Sequence, residues 1–164
     1  MLTEGVNSGK DFVGTAKDDL FSANTKLIVD PASGTKKTFD TIDSLDILDG
    51  GKGTDTLSIV TADTNAATTP HAPTLTSIEN VNVKFLDATA IDLANATGVE
   101  TVKVHNSTTG KTGTVLNVAG ATLSVANQKV GVDFDGSTAE KLNLNFDTVG
   151  IAATTTPLAA ATLI

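Results

Sequence analysis

The sequence predicts an all-β chain folded as a parallel β-solenoid, of the β-roll or β-helix kind, with Gly/Asp turns. Three observations predict it. Short cores reading apolar–polar–apolar recur at a nearly fixed interval, from Ile78 to Val99 and on to Ala121. Thr, Asn, Asp and Gly turns lie between the cores, with no long amphipathic run. Hydrophobic residues make up 40% of the chain but aromatics only 4%, with no Trp and no Tyr, so the core is built from small aliphatic side chains and a few Phe. Alternation is strand periodicity. A repeat of about 20 residues made of strands and turns marks a solenoid, whose rungs bury their apolar side chains only by stacking. A β-sandwich also repeats its strands, at about 8–12 residues. The fixed interval and the lack of two-residue hairpin signals favour the solenoid.

Taken in order, residues 1–60 carry two similar blocks, FVGTAKDDLF at 12–21 and LDGGKGTDTL at 48–57. Phe12 aligns with Leu48, Gly14 with Gly50, Asp19 with Asp55 and Phe21 with Leu57. Between the blocks, residues 27–29 (LIV) read as a short strand and 30–34 (DPASG) as a turn. Residues 58–60 (SIV) extend the strand after the second block. Residues 61–73, TADTNAATTPHAP, are a loop by composition. The shorter repeat then begins, with cores at 78–83 (IENVNV), 99–104 (VETVKV), 121–125 (ATLSV) and 142–144 (LNL). Secondary strands are expected at 90–93 (AIDL) and 115–118 (VLNV). Only 85–96, FLDATAIDLANA, has room for a turn or two of helix. The organisation predicted is therefore a Gly/Asp segment at 1–60, a loop at 61–73, solenoid repeats at 74–150, and a tail or truncated continuation at 151–164.

The formal charge is −8. That balance argues against nucleic acid, which needs a basic face, and against an anionic membrane surface. No apolar run reaches the ~18 residues of a membrane-spanning helix. There is no Cys, so disulfides play no part. The start, MLTEGVNSGKD, lacks the basic and apolar regions of a Sec-type signal peptide. Three explanations stand open: a cytosolic protein, export by a route read elsewhere, or a piece of a longer chain. The apolar end, ATLI, favours the last.

GGKGTD at 50–55 carries the chemistry. Gly50, Gly51 and Gly53 permit positive φ, which turns main-chain carbonyls towards one side, and Asp55 adds a carboxylate. Oxygen donors of this kind suit calcium, which takes about 6–8 of them. One turn supplies about half, and the block at 14–19 supplies the rest if stacking brings it alongside. Asp46, Asp49 and Asp11 stand nearby as outer ligands or solvated charges. Residues 132–136 (VDFDG) offer a further turn of the same type. A glycine turn with surface aspartates is the plain alternative. His71 and His105 have no metal-site spacing and read as solvated. No phosphate-binding glycine fingerprint occurs, and no reading of the chain as an enzyme follows.

GGKGTDTL resembles the nonapeptide repeat of RTX proteins, G-G-x-G-x-D-x-U-x, which binds calcium in parallel β-rolls. With DFVGTAKDDLF, SIENVNV and GVETVKV, the chain looks like the repeat regions of calcium-dependent bacterial S-layer proteins and RTX adhesins. The resemblance implies Ca2+ held by the main-chain oxygens of Gly14 and Ala16 with the side chain of Asp19, and by those of Gly50 and Lys52 with the side chain of Asp55. It further implies type I secretion, a place on the bacterial cell surface, self-association into a lattice, and cell-surface polysaccharide as a possible second partner, without nucleic acid or membrane insertion. The function expected is a structural subunit, or a fragment of one, of a calcium-dependent surface layer. The alternatives are a binding or spacer module of an RTX adhesin, and the non-catalytic β-domain of a secreted enzyme.

Overall fold

A computed structural model describes residues 1–147, apart from 4, 10–11, 30, 64–68, 109–110, 119, 129–131 and 135–142. The expected continuation at 151–164 lies outside the described residues. The elements begin with β1 (Leu20–Ala23), β2 (Thr25–Val29), β3 (Lys36–Asp40), β4 (Ile47–Asp49) and β5 (Thr56–Thr61). They continue with β6 (Thr74–Thr76), β7 (Asn80–Phe85), β8 (Ala90–Asp92), β9 (Ala96–Thr97) and β10 (Thr101–His105). The last are β11 (Gly113–Leu116), β12 (Thr122–Ala126), β13 (Val132–Phe134) and β14 (Asn143–Asp147). No α-helix occurs among the described residues.

The fold is a parallel β-solenoid. Its main wall is a six-stranded sheet in the order β1-β5-β7-β10-β12-β14, every pair of which is parallel. Two smaller parallel sheets, β4-β6-β9 and β13-β11-β8, form the other walls. The register copies the sequence repeat: Val81 pairs with Val102, and Val102 with Leu123, an interval of 21 residues each time. Alternation decides the faces. In β5 and β7 every second side chain is buried, which sends Leu57, Ile59, Val81, Val83 and Phe85 into the core and leaves the intervening residues on the outer face. The Phe85 ring occupies the space that a side chain at Gly113 would fill, since a Cβ there would lie 2.1 Å from the ring.

The two blocks of the N-terminal segment and the shorter repeats belong to one continuous wall, because β5 pairs along its length with β7. Residues 25–40 stand outside the pattern as the antiparallel hairpin β2–β3. The turn at 31–33 falls within the stretch the sequence names, but the second strand, KKTFD, has no apolar alternation to announce it. The N-terminal residues cover part of the first rung. Leu2 is buried, and its N–H donates to the Ser22 carbonyl on the free edge of β1 at 2.7 Å. Residues 85–96 hold β8 and β9 rather than a helical turn. Residues 132–134 form β13, paired with β11, so the proposed further calcium turn begins as a strand; its remaining residues, 135–136, lie outside the described residues.

Candidate cation site at the stacked glycine turns

Asp49 and Thr56 end and begin strands that bracket the turn at 50–55, and Val13 and Leu20 bracket the turn at 14–19 in the same register. The two turns therefore stack residue on residue, 36 apart. The Gly14 N–H donates to the Asp49 carbonyl at 2.7 Å. The Lys52 N–H donates to the Thr15 carbonyl at 3.3 Å. The Thr54 N–H donates to Asp18 Oδ1 at 2.9 Å, and the Asp19 N–H to Asp55 Oδ1 at 2.7 Å. All six residues named by the sequence, Gly14, Ala16, Asp19, Gly50, Lys52 and Asp55, thus lie in these two adjoining turns.

Their glycines act in two ways. Gly51 and Gly53 adopt positive φ, 89° and 121°, as a left-handed turn requires. Gly50 does not; it is glycine for space. A Cβ there would lie 1.8 Å from the Ser77 carbonyl oxygen and 2.5 Å from Asp55 Oδ2. Gly14 meets the same constraint from the other side, with the Gly50 carbonyl oxygen 2.0 Å from where its Cβ would be. Thr15 and Lys17, which stack on Gly51 and Gly53, are not among the residues at positive φ. The first turn therefore follows a different backbone path from the second.

The carboxylates differ accordingly. Asp19 Oδ2 accepts from the Thr15 N–H at 2.6 Å and from the Thr15 hydroxyl at 2.9 Å, so it closes its own turn. Asp55 is fully buried. Its Oδ1 is used by Asp19, but its Oδ2 has no hydrogen-bond partner among the described residues. The donor that would serve it by analogy, the Gly51 N–H, turns instead to Asp49 Oδ1 at 3.0 Å. A buried carboxylate oxygen without a partner is costly, and a cation answers that cost directly. The carbonyl oxygens of Gly14, Ala16, Gly50 and Lys52 also accept no hydrogen bond among the described residues. Carboxylate and main-chain carbonyl oxygens are the donor type that a hard cation such as calcium takes. Among the described residues no three His, Cys, Asp or Glu side chains gather into a metal-holding group, so such an ion would draw on main-chain oxygens.

Sequence reasoning passed over Glu79 and Ser77. Glu79 Oε2 accepts the Asp55 N–H at 2.7 Å, continuing on the third rung what Asp55 does for Asp19. The signal was present: Asp19, Asp55, Glu79 and Glu100 each stand one residue before the start of β1, β5, β7 and β10. Asp46, expected as an outer ligand or solvated, is not solvated. It is buried, and Oδ1 accepts from the Asn7 N–H at 2.7 Å while Oδ2 accepts from the Asp43 N–H at 3.0 Å. Burial raises its pKa against the lowering effect of these bonds.

His71 is not solvated. Its side chain is 14% exposed, and Nε2 lies 3.2 Å from Oδ2 of Asp40, whose side chain is fully buried. Burial pushes the Asp40 carboxyl up, but bonds from His71, Thr61 and the N–H groups of Ala62 and Asp63 outweigh it and hold the pKa below the ordinary value. This cluster fastens the β2–β3 hairpin to the strand β5 and to the segment before β6. Thr61 and His71 both bond the same carboxylate. His105 is half-buried on the outer face of the main sheet, with Nδ1 3.1 Å from Asn106 Nδ2. No family model, no curated protein and no solved structure matches this chain.

Proposed function

We propose that this chain is a structural segment of a secreted bacterial surface layer, stiffened by calcium bound where the glycine turns stack. The observation that carries the reading is the buried, unpartnered Oδ2 of Asp55 inside a stack of turns rich in uncommitted carbonyl oxygens. Calcium there would supply the positive charge that Asp55 lacks. Gly50 and Gly14 keep the oxygens in reach, Asp19 locks the first turn through Thr15, and Asp18 and Glu79 fix the neighbouring N–H groups. An acidic, Cys-free chain resembling RTX repeats supports export and folding outside the cell, where calcium is abundant. Extracellular calcium modules bind at about 10⁻⁴–10⁻³ M, and an ion at a hundredfold excess over Kd stabilises by about 2.7 kcal/mol. A solenoid whose end rungs meet those of neighbouring copies would join them head to tail, and such heterologous contacts extend into layers.

Two measurements test the reading. Thermal melts followed by circular dichroism should shift upwards with millimolar calcium and return with chelator. Light scattering of the protein should report assembly in calcium and dispersal in chelator. Melts indifferent to calcium would end the cation reading. A protein that stays monomeric in calcium yet binds a defined glycan would move the function from lattice subunit to adhesin.

A further inference from the structure

The outer face of the main sheet has a charge pattern opposite to that of the chain. The chain carries 19 acids against 11 bases. Yet the outward positions of β5, β7, β10 and β12 hold no acid. They hold three basic side chains, Lys84, Lys103 and His105, side by side on β7 and β10. Register places Asn82 beside Lys103 and Ser124 on its other flank, and sets Lys84 and His105 one residue beyond the paired Val83 and Val104. Neither Lys84 nor Lys103 makes an ion pair among the described residues. Glu79 and Glu100 lie at the far ends of the same strands, and Asp147 stands two strands away from His105 by register.

The rest of the face is hydroxyl and amide. Ser58, Asn82, Lys103 and Ser124 form one row across the rungs, and Thr101 and Thr122 belong to the next. Neighbouring strands lie about 4.8 Å apart, close to the advance of one sugar along an extended polysaccharide. Parallel pairing repeats that spacing from rung to rung without the alternation of antiparallel pairs. From this face we infer a docking surface for an anionic polysaccharide, whose carboxylates or phosphates would sit over Lys84, Lys103 and His105 while its hydroxyls meet the Ser, Thr and Asn rows.

Charge complementarity selects the occupant. Nucleic acid would need more basic groups and aromatic platforms for its bases, and the face has neither. A membrane surface would need an apolar or strongly cationic belt. Without an anion the cluster is uncomfortable: burial and then the charges of Lys103 and Lys84 lower the His105 pKa. A bound anion reverses the electrostatic part of that effect. The surface lies on different residues from the cation site, so it stands or falls independently of calcium binding.

Hyaluronan oligosaccharides, in which alternate sugars carry a carboxylate, provide the probe, and chitin oligosaccharides of equal length the neutral control. Titrated in calcium buffer and followed by NMR, hyaluronan should bind and raise the His105 pKa. The double variant Lys84→Gln/Lys103→Gln should bind about tenfold more weakly, two exposed ion pairs being worth up to about 1 kcal/mol each. Lys84→Arg/Lys103→Arg should retain the affinity and guards against a folding defect. Absence of hyaluronan binding, equal binding of the neutral oligosaccharide, or a double variant that binds as well as the parent overturns the inference. Sedimentation showing self-association that the double variant abolishes, without oligosaccharide binding, assigns the face to a second copy of the chain instead.

Discussion

One corner of the solenoid is turned in two ways. Between Asp49 and Thr56 lie six residues, 50–55, and the turn stacked on them, 14–19, is equally long. Between Thr76 and Asn80, one rung on, lie three, and between Thr97 and Thr101 again three. The short corner turns on Ser77 at φ 49° and drives Ile78 fully into the core. The long corner sends no apolar side chain inwards; what it buries is the carboxylate of Asp55. Hydrophobic burial holds one corner, and polar bonds around a charge hold the other. The extra residues are therefore not slack. They add uncommitted oxygens, and the two corners should answer to different variables: volume at the short one, charge and ions at the long one.

The largest expected effect breaks the short corner. Ile78→Ala leaves a cavity in the stacked core and should cost about 3–4 kcal/mol in urea unfolding, with no dependence on calcium. Gly50→Ala breaks the long corner by collision with the Ser77 carbonyl, a backbone atom with nowhere to go, at about 3 kcal/mol. Its counterpart Gly98→Ala meets nothing closer than 3.7 Å and suffers only its φ of 90°, about 1–2 kcal/mol. A loss at Gly50 no larger than that at Gly98 would mean that the neighbouring backbone gives way and that crowding does not dictate glycine there.

Acid sharpens the contrast between buried aspartates. Asp40 has a folded pKa below its ordinary 3.8. Its contribution is fully present above the unfolded value and is lost as pH falls through the lowered one. Asp46 has a raised folded pKa. It favours the fold most at low pH and loses that advantage as pH rises through the unfolded value towards the raised one. Asp40→Asn should flatten the acid limb of a stability–pH curve, and Asp46→Asn should steepen it. The smallest effect belongs to Asp18→Ala, which frees the Thr54 N–H at an exposed site. It should cost about 0.5 kcal/mol.

The sequence disclosed most of the main wall, because Val81, Val102 and Leu123 alternate with polar residues over strands long enough to show a period. It also disclosed β8 and β11, and the pairing of the two Gly/Asp blocks. The third wall was hidden: β4, β6 and β9 are two or three residues long, too short for a periodic signal, and Thr74–Thr76 looks like loop. The hairpin partner KKTFD was hidden for the opposite reason, since its register is set by pairing with β2 rather than by burial. At the site, GGKGTD announced itself. The role of Gly50 did not, because a glycine kept for space and a glycine kept for φ read alike in one letter. His71 was misjudged because its partner, Asp40, is 31 residues away and on a hairpin with no place in the repeat.

One comparison of melting temperatures tests the unpartnered oxygen of Asp55 most directly. Wild type and Asp55→Asn are melted in chelator and in millimolar calcium. The Asn variant keeps the acceptor used by Asp19 and replaces the unpartnered Oδ2 with a neutral NH₂. In chelator it should melt at or above the wild type, since a buried charge is gone. In calcium at about tenfold over Kd the wild type should gain about 1.4 kcal/mol, or about 3–6 °C, and overtake a variant that hardly moves. A wild type indifferent to calcium, or a variant that gains as much, would contradict the assignment of Asp55 to a cation.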